Sequence, residues 1–376
     1  MGKVMMTLLV AMAISIGFPE FAPGGQNNQV KLFYIKQNGK VGFIDRTGKI
    51  VIPAQFDEAS GFADGLALVQ TGGQWGFIDE TGKVVITPQF ERVGGLAGAD
   101  KGPFTEGLAA VKVRGKWGYI DRTGQTVIPP QFDWADYFRE GLAAVGQGGR
   151  WGYLDRTGKV VIPLQYDDAQ SFSEGLAAVK SGGQWGYIDR TGKFVIPPRF
   201  RGTASWFIQG LAMVHAGGEK FGFIDRTGKM VIDPQPFAET YFSEGLVPLP
   251  MNGKWGYRDQ TGKVAIPPRF DIAGPFSEGL ACVMMGRQWG FIDKTGKMVI
   301  PPQFDGVEED GFQEGLCSVY IGRKQGYIDR TGKMVIPAQF YRAFSFSGGL
   351  AEVLPTKGER WGYIDRTGKF VWQSSR

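Results

Sequence analysis

Two cysteines and one histidine in 376 residues leave little material for metal or nucleophile chemistry. A zinc site needs about four Cys, His or carboxylate ligands, and a Ser-His-Asp triad needs a placed imidazole. His215 stands alone at the polar end of a strand, where other copies of the same pattern carry Lys112 or Lys180. Cys282 and Cys317 occupy neighbouring copies one position out of step, so on strands of period two they point to opposite faces, and no disulfide is expected. Long hydrophobic runs are also missing. The longest, Val4 to Ile16, falls short of the roughly 20 residues of a membrane span. With Lys3 before it and Ser15 and Gly17 after it, residues 1–17 read as a signal peptide, with a retained anchor as the competing reading. No cysteine near the cleavage region supports a lipid anchor, and Met6 stands where a myristoylation signal needs Ser or Thr. Residues 18–29 form a polar lead-in. The expectation is an exported protein, periplasmic, on the cell surface or extracellular, with no stable membrane span in the mature chain.

What the chain has in excess is glycine, 58 residues, placed periodically. Trp151 to Lys159 reads W-G-Y-L-D-R-T-G-K and Trp185 to Lys193 reads W-G-Y-I-D-R-T-G-K. The element D-x-T-G begins at Asp45, Asp79, Asp121, Asp155, Asp189, Asp225, Asp259, Asp293, Asp329 and Asp365, at steps of 34 to 42 residues. One supersecondary unit is copied and stacked from residue 30 to residue 376, with no disordered linker between copies. The 42-residue step holds an insertion around Val93 to Gly102, which is either a tolerated surface loop or part of a binding face.

Residues 174–200 show the unit: strands over Leu176 to Lys180, Gln184 to Asp189 and Lys193 to Ile196, joined by tight turns into an antiparallel meander. In D-x-T-G, the Asp carboxylate accepts from backbone N–H groups two residues on, and the Gly takes the left-handed conformation in a bulge. The extra residue separates this element from the D-T-G of aspartic proteases. Proline after Val-Ile ends the third strand. A phenylalanine returns in F-x-x-G-L, for example Phe138 and Phe172, and reads as a core plug. Trp185, Tyr187 and Asp189 share one face of their strand and Gly186 and Ile188 the other, while in the first strand Leu176 and Ala178 face one way and Ala177 and Val179 the other, so each sheet is apolar on both sides and stacks on its neighbours. Glycine after tryptophan is expected to admit a neighbouring unit. Three strands in 34 residues, and ten copies, favour an all-β, open twisted β-solenoid-like array of about ten three-stranded antiparallel units. The alternative is a β-propeller-like closed array, against which the atypical first and last copies argue, since they look like caps.

The Trp-Gly dipeptide, the following aromatic-Ile-Asp, the T-G-K turn and the V-I-P strand together resemble the WG-repeat family, also called KWG repeats, of bacterial proteins. The resemblance covers Leu32 to Trp372. It implies an all-β repeat protein, commonly exported, with no catalytic residues to carry over. Val41, Phe221 and Gln325 stand where the pattern has tryptophan, and those units are expected to pack less well. Trp75, Trp117, Trp151, Trp185, Trp255, Trp289 and Trp361 are read as structural repeat positions.

Function is sought in what the repeat does not need. The ten turns carry 17 basic residues against 11 acidic ones, a net of +6, while the whole chain carries +5. Regular stacking would gather Arg122, Arg156, Lys159, Arg190, Lys193, Arg226 and Lys229 along one edge, as a candidate ligand-binding surface. The bland counterpart is solubility and protection of strand edges. The carboxylates of F-x-E-G-L (Glu106, Glu140, Glu174, Glu244, Glu278, Glu314, with Asp64 at the same position) form a possible acidic ladder, but no copy stands out as a catalytic pair. No enzyme activity, cofactor, metal or nucleic acid is expected. The favoured expectation is a non-enzymatic exported scaffold for a protein partner. The second is binding of an envelope polysaccharide or other anionic polymer through the basic edge and exposed aromatics.

Overall fold

The computed structural model describes residues 31–94, 102–218, 220–236, 240–308, 310–358 and 360–374. The segment read as a signal peptide, the whole lead-in (residues 18–29) and most of the insertion after Val93 lie outside these residues. The described residues form strands and no helix, in ten small antiparallel sheets. Their contacts group into two compact units, Met1–Asp45 with Ile50–Ala238, and Arg46–Lys49 with Glu239–Arg376.

The fifth repeat shows the plan. Four strands, Asp168–Ala169, Leu176–Ser181, Gln184–Asp189 and Phe194–Phe200, lie side by side in chain order. Seven of the ten sheets have four strands; a lone bridge from Ala204 to Val214 marks the same place in a three-stranded one. The expected unit of three strands is therefore corrected. The fourth lies in the connector, where two paired residues such as Asp168 and Ala169 are too few to show an alternation. Four-stranded sheets of this kind are propeller blades. The alternative stated above, a β-propeller-like array, is the architecture the sheets match, in place of the open solenoid-like array.

The core lies between sheets rather than within them. Leu176, Ala178, Trp185 and Tyr187 pack with Phe207, Ala212, Val214 and Ile224 of the next repeat, while Ala177, Val179 and Ile188 pack with Tyr153 and Phe172 on the other side. The face assignment holds residue by residue. The connector phenylalanine is the plug: Phe172 meets Tyr153 of the preceding repeat edge to face at 4.8 Å, and Phe138 meets Tyr119 at 4.9 Å. Such ring pairs contribute about 0.5–1.5 kcal/mol beyond area burial. Each tyrosine hydroxyl also donates to a backbone carbonyl of the next repeat, as Tyr153 does to Gln170 and Tyr187 to Ser205. Burial raises these phenols far above their ordinary range, so they stay neutral donors.

Three further expectations change. A Cβ on Gly152 would fall 2.5 Å from the Ile162 carbonyl oxygen, so the glycine after tryptophan admits the bulged last strand of its own sheet, not a neighbouring unit. The last sheet is not an exposed cap: within the second unit, a Cβ on Gly48 would collide with the Val371 carbonyl, so the first repeat's turn sits on the last strand. Gln325 does not weaken its repeat. It is fully buried, its amide nitrogen donates to Glu308 and Ser318, and its carbonyl accepts from the Ala343 N–H. The amide replaces indole packing with hydrogen bonds, which removes the penalty for a buried polar group. Cys282 and Cys317 are both buried and are not joined in a disulfide. Opposite faces of successive sheets meet in one core, however, so both thiols belong to the same cluster.

Gln325→Ala should lower stability by about 2–3 kcal/mol in urea unfolding, because it strands buried partners. Gly152→Ala should cost about 1–3 kcal/mol through overpacking against backbone. Unchanged unfolding midpoints in either variant would contradict these contacts.

Candidate functional site

The D-x-T-G turn is set by one carboxylate oxygen. Asp155 Oδ1 accepts from the Thr157 N–H at 2.9 Å, the Thr157 hydroxyl at 2.6 Å and the Lys159 N–H at 3.1 Å. The Gly158 N–H donates to the Asp155 carbonyl and the Asp155 N–H to the Lys159 carbonyl, closing the turn and its bulge. Gly158 has φ 88°, the left-handed region in which a side chain is strained. A Cβ there would also come within 3.2 Å of Ile128, which lies inside the last strand of the preceding repeat, Thr126–Phe132; that strand runs on through the prolines expected to end it, because an edge strand can lack donors on its outer side. The glycine therefore serves the turn and the stack together. The threonine hydroxyl is the largest of the influences holding Asp155 below the ordinary carboxylate range, and the same holds at Asp121, Asp189 and Asp329.

The arginines of the turns reach the preceding repeat. Arg122 donates to the Asp64 carbonyl, lies 3.8 Å from the Asp64 carboxylate and stands 5.6 Å from the centre of the Phe104 ring. Arg156, Arg190 and Arg226 lie beside Gly107, Gly141 and Gly175, each in the F-x-E-G turn of an earlier repeat. The acidic ladder occupies the same end of the sheets. Glu140 accepts from the Gly175 N–H at 2.9 Å, Glu174 from Gly210 at 2.9 Å and Glu278 from Gly315 at 2.9 Å. Each glutamate thus caps the next repeat's turn. Lys294 pairs with Glu244 at 2.9 Å, and Arg366 stands 3.9 Å from Glu314.

The lysines differ from the arginines. Lys159, Lys193 and Lys229 use their backbone N–H groups in the turn, but their exposed ammonium groups enter no ion pair. Each immediately precedes the last strand of its sheet, and exposed valines follow: Val160 and Val161 after Lys159, Val195 after Lys193. The structure thus separates the seven basic candidates into Arg122, Arg156, Arg190 and Arg226, set against the preceding repeat, and three lysines facing solvent.

Trp117 and Trp185 are buried, Trp75, Trp151, Trp255 and Trp289 half-buried, and Trp361 exposed. Trp361 stacks on exposed Phe344 at 5.4 Å, and Trp134 is the most exposed aromatic at 61%. His215 is half-buried against Phe221, which stands in a tryptophan position, with Nε2 on the Gly218 carbonyl. Two features had no legible signal in the sequence. The connector aspartates bridge sheets: Asp167 accepts from Arg150 of the preceding repeat at 2.6 Å and from the Gly183 N–H. Asp136, whose carboxyl is pushed up by burial, accepts from Ser171 of the following repeat at 2.7 Å. Both need the partner sheet in place to be recognised. Among the described residues, no group of three or more His, Cys, Asp or Glu could hold a metal ion, and no helix is long and apolar enough to cross a membrane.

Comparison with known families matches nine consecutive segments, 42–75, 75–117, 117–151, 151–185, 185–218, 221–255, 255–287, 289–324 and 326–354, to the model described as WG containing repeat. Comparison with curated proteins gives no match. Among solved structures, a eukaryotic initiation factor aligns over 93% of this chain and 96% of its own, at 12% identity and TM-score 0.51. BamB from Moraxella catarrhalis aligns over 81% and 90%, at 13% identity and TM-score 0.37. Hsv2 of Kluyvelomyces marxianus aligns over 64% and 95%, at 10% identity and TM-score 0.37. At these identities the first likeness speaks for the fold alone.

The turn aspartates titrate lower folded than unfolded, so their stabilisation is present above the unfolded value of about 3.9 and is lost as pH falls through the folded value. Tm should hold from about pH 7 to pH 5 and fall below about pH 4, and Thr157→Val with Thr191→Val should shrink the acid-dependent part of that fall. An acid response identical in wild type and variant would remove the threonine hydroxyl from this account.

Proposed function

This chain belongs to the family of WG-containing repeats, and from that premise we propose that it is an exported, non-enzymatic scaffold that holds a protein partner on a surface repeated along its sheets. The observation carrying the proposal is the fate of the motif residues. Tryptophan, tyrosine, aspartate, arginine, threonine, glycine and isoleucine each have a contact that builds or stacks a sheet. The ammonium groups of Lys159, Lys193 and Lys229 form no ion pair, and exposed valines such as Val161 and Val195 return in copy after copy on the last strand. A surface made by repetition suits an extended partner touched at several places, with weak contacts multiplied by tethering. The carboxylates of F-x-E-G-L are occupied as turn caps, a use that favours a non-catalytic role over acid–base work.

Binding of an envelope polysaccharide or other anionic polymer has one specific support, the exposed aromatic surface of Trp134 and of the stacked pair Phe344 and Trp361.

Affinity capture from an envelope extract with the full chain should return a protein in a defined complex, measured by mass spectrometry and light scattering. Recovery of glycan without protein would favour the polymer reading. A turnover removed by substituting one carboxylate would overturn the non-enzymatic one.

A further inference from the structure

The last strand of each sheet lies at its edge. Over Val160–Tyr166, Val160 and Val161 are exposed, Ile162 is buried and Tyr166 closes the core. Only one side of such a strand is hydrogen-bonded to its own sheet, as in the pairs Trp151 with Tyr166, Tyr153 with Ile162 and Leu154 with Val160. An edge of this kind invites strand addition by another chain. Here proline opposes it. Successive N–H groups alternate between the two sides of a strand, so a Pro-Pro pair always deletes one outward donor. Pro129-Pro130, Pro197-Pro198, Pro267-Pro268 and Pro301-Pro302 stand at this place. Recognition at these edges therefore falls to side chains.

Those side chains are a lysine just before the strand and a valine at its bulge: Lys159 precedes Val160 and Val161 stands between the paired residues Val160 and Ile162, as Lys193 precedes Phe194 and Val195 stands between Phe194 and Ile196. The valines are 39% and 42% exposed, high for a β-branched residue. The ammonium groups of Lys159 and Lys193 form no ion pair and are attracted through space to the aspartate of their own turn, whereas the neighbouring arginines are set against the preceding repeat. We propose that the last strands dock an extended, acidic protein segment that carries both carboxylates and aliphatic side chains. The carboxylates would meet the lysines and the aliphatic groups would cover the valines. An anionic polysaccharide satisfies the lysines but offers hydroxyl-covered rings to the valines, so the valine exposure selects the peptide. This inference rests on the scaffold reading and adds the partner's chemistry and the place where it docks.

The test uses the full chain and two labelled probes, a peptide of alternating Glu and Val and a polygalacturonate, followed by fluorescence anisotropy at low and high salt. The wild type should bind the peptide more tightly, and binding should weaken as salt rises. The combined variant Lys159→Glu, Lys193→Glu, Lys229→Glu should weaken it by about tenfold or more, from the loss and reversal of several exposed pairs. Val161→Ser with Val195→Ser should weaken peptide binding several-fold while leaving polygalacturonate binding unchanged. Circular dichroism of each variant separates these losses from unfolding. Equal binding of both probes with no valine effect would assign the surface to anionic polymers. Variants that self-associate yet keep peptide binding would make the lysines edge protection alone. If the triple-Glu variant still captures the wild-type protein partner from extract, the docking surface is wrong and the scaffold reading stands; if the wild type captures none, the scaffold reading itself falls.

Discussion

Each sheet of this protein carries apolar side chains on both faces, Leu176, Ala178 and Tyr187 on one and Ala177, Val179 and Ile188 on the other, and so cannot bury its own surface. Burial happens only between sheets, which makes the repeat the smallest unit of sequence but not of stability. The other features of the chain follow from that need for neighbours on both sides. The connector phenylalanine fills the space against the preceding tyrosine, the tyrosine hydroxyl reaches forward to the next backbone, and small alanines let the sheets approach.

The same constraint explains why residues that look like chemistry are spent on assembly. A glutamate repeated at 34- to 36-residue intervals, with Gln209 in one copy, suggests a ladder of acids, yet Glu140 and Glu174 accept backbone N–H groups of the following turn. An arginine repeated in an exposed turn suggests a ligand site, yet Arg122 donates to a carbonyl and lies near a carboxylate of the repeat before it. Charged groups suit these places because turn ends leave backbone donors and acceptors unpaired at the margin of the core, where hydrogen bonds to charged groups are stronger than neutral ones. What survives this accounting is small: a lysine and a valine on each of several edge strands, with proline pairs closing several of the edges.

Departures from the repeat carry a separate lesson. Gln325 stands in place of a tryptophan and is buried with its amide satisfied, and Asp136 is a mostly buried carboxyl held by a serine from the next sheet. Each substitution works because partners from two or three sheets converge on it. None of those partners is near it in the chain, so neither arrangement is visible from local pattern.

The sequence by itself determined the period, the strands, the turn and the faces, because each rests on forces that act over a few residues. Alternation sets which side chain faces which way, and a left-handed glycine after Asp-x-Thr sets the turn. Tertiary structure alone decided the fourth strand, the seating of Gly48 on Val371, the meeting of two cysteine-bearing faces in one core, and the division of the basic candidates into arginines set against the preceding repeat and the solvent-facing Lys159, Lys193 and Lys229. The reason is the same in each case. These outcomes depend on what the neighbouring sheet brings within reach, and a linear pattern records which faces are sticky without recording which of them will meet.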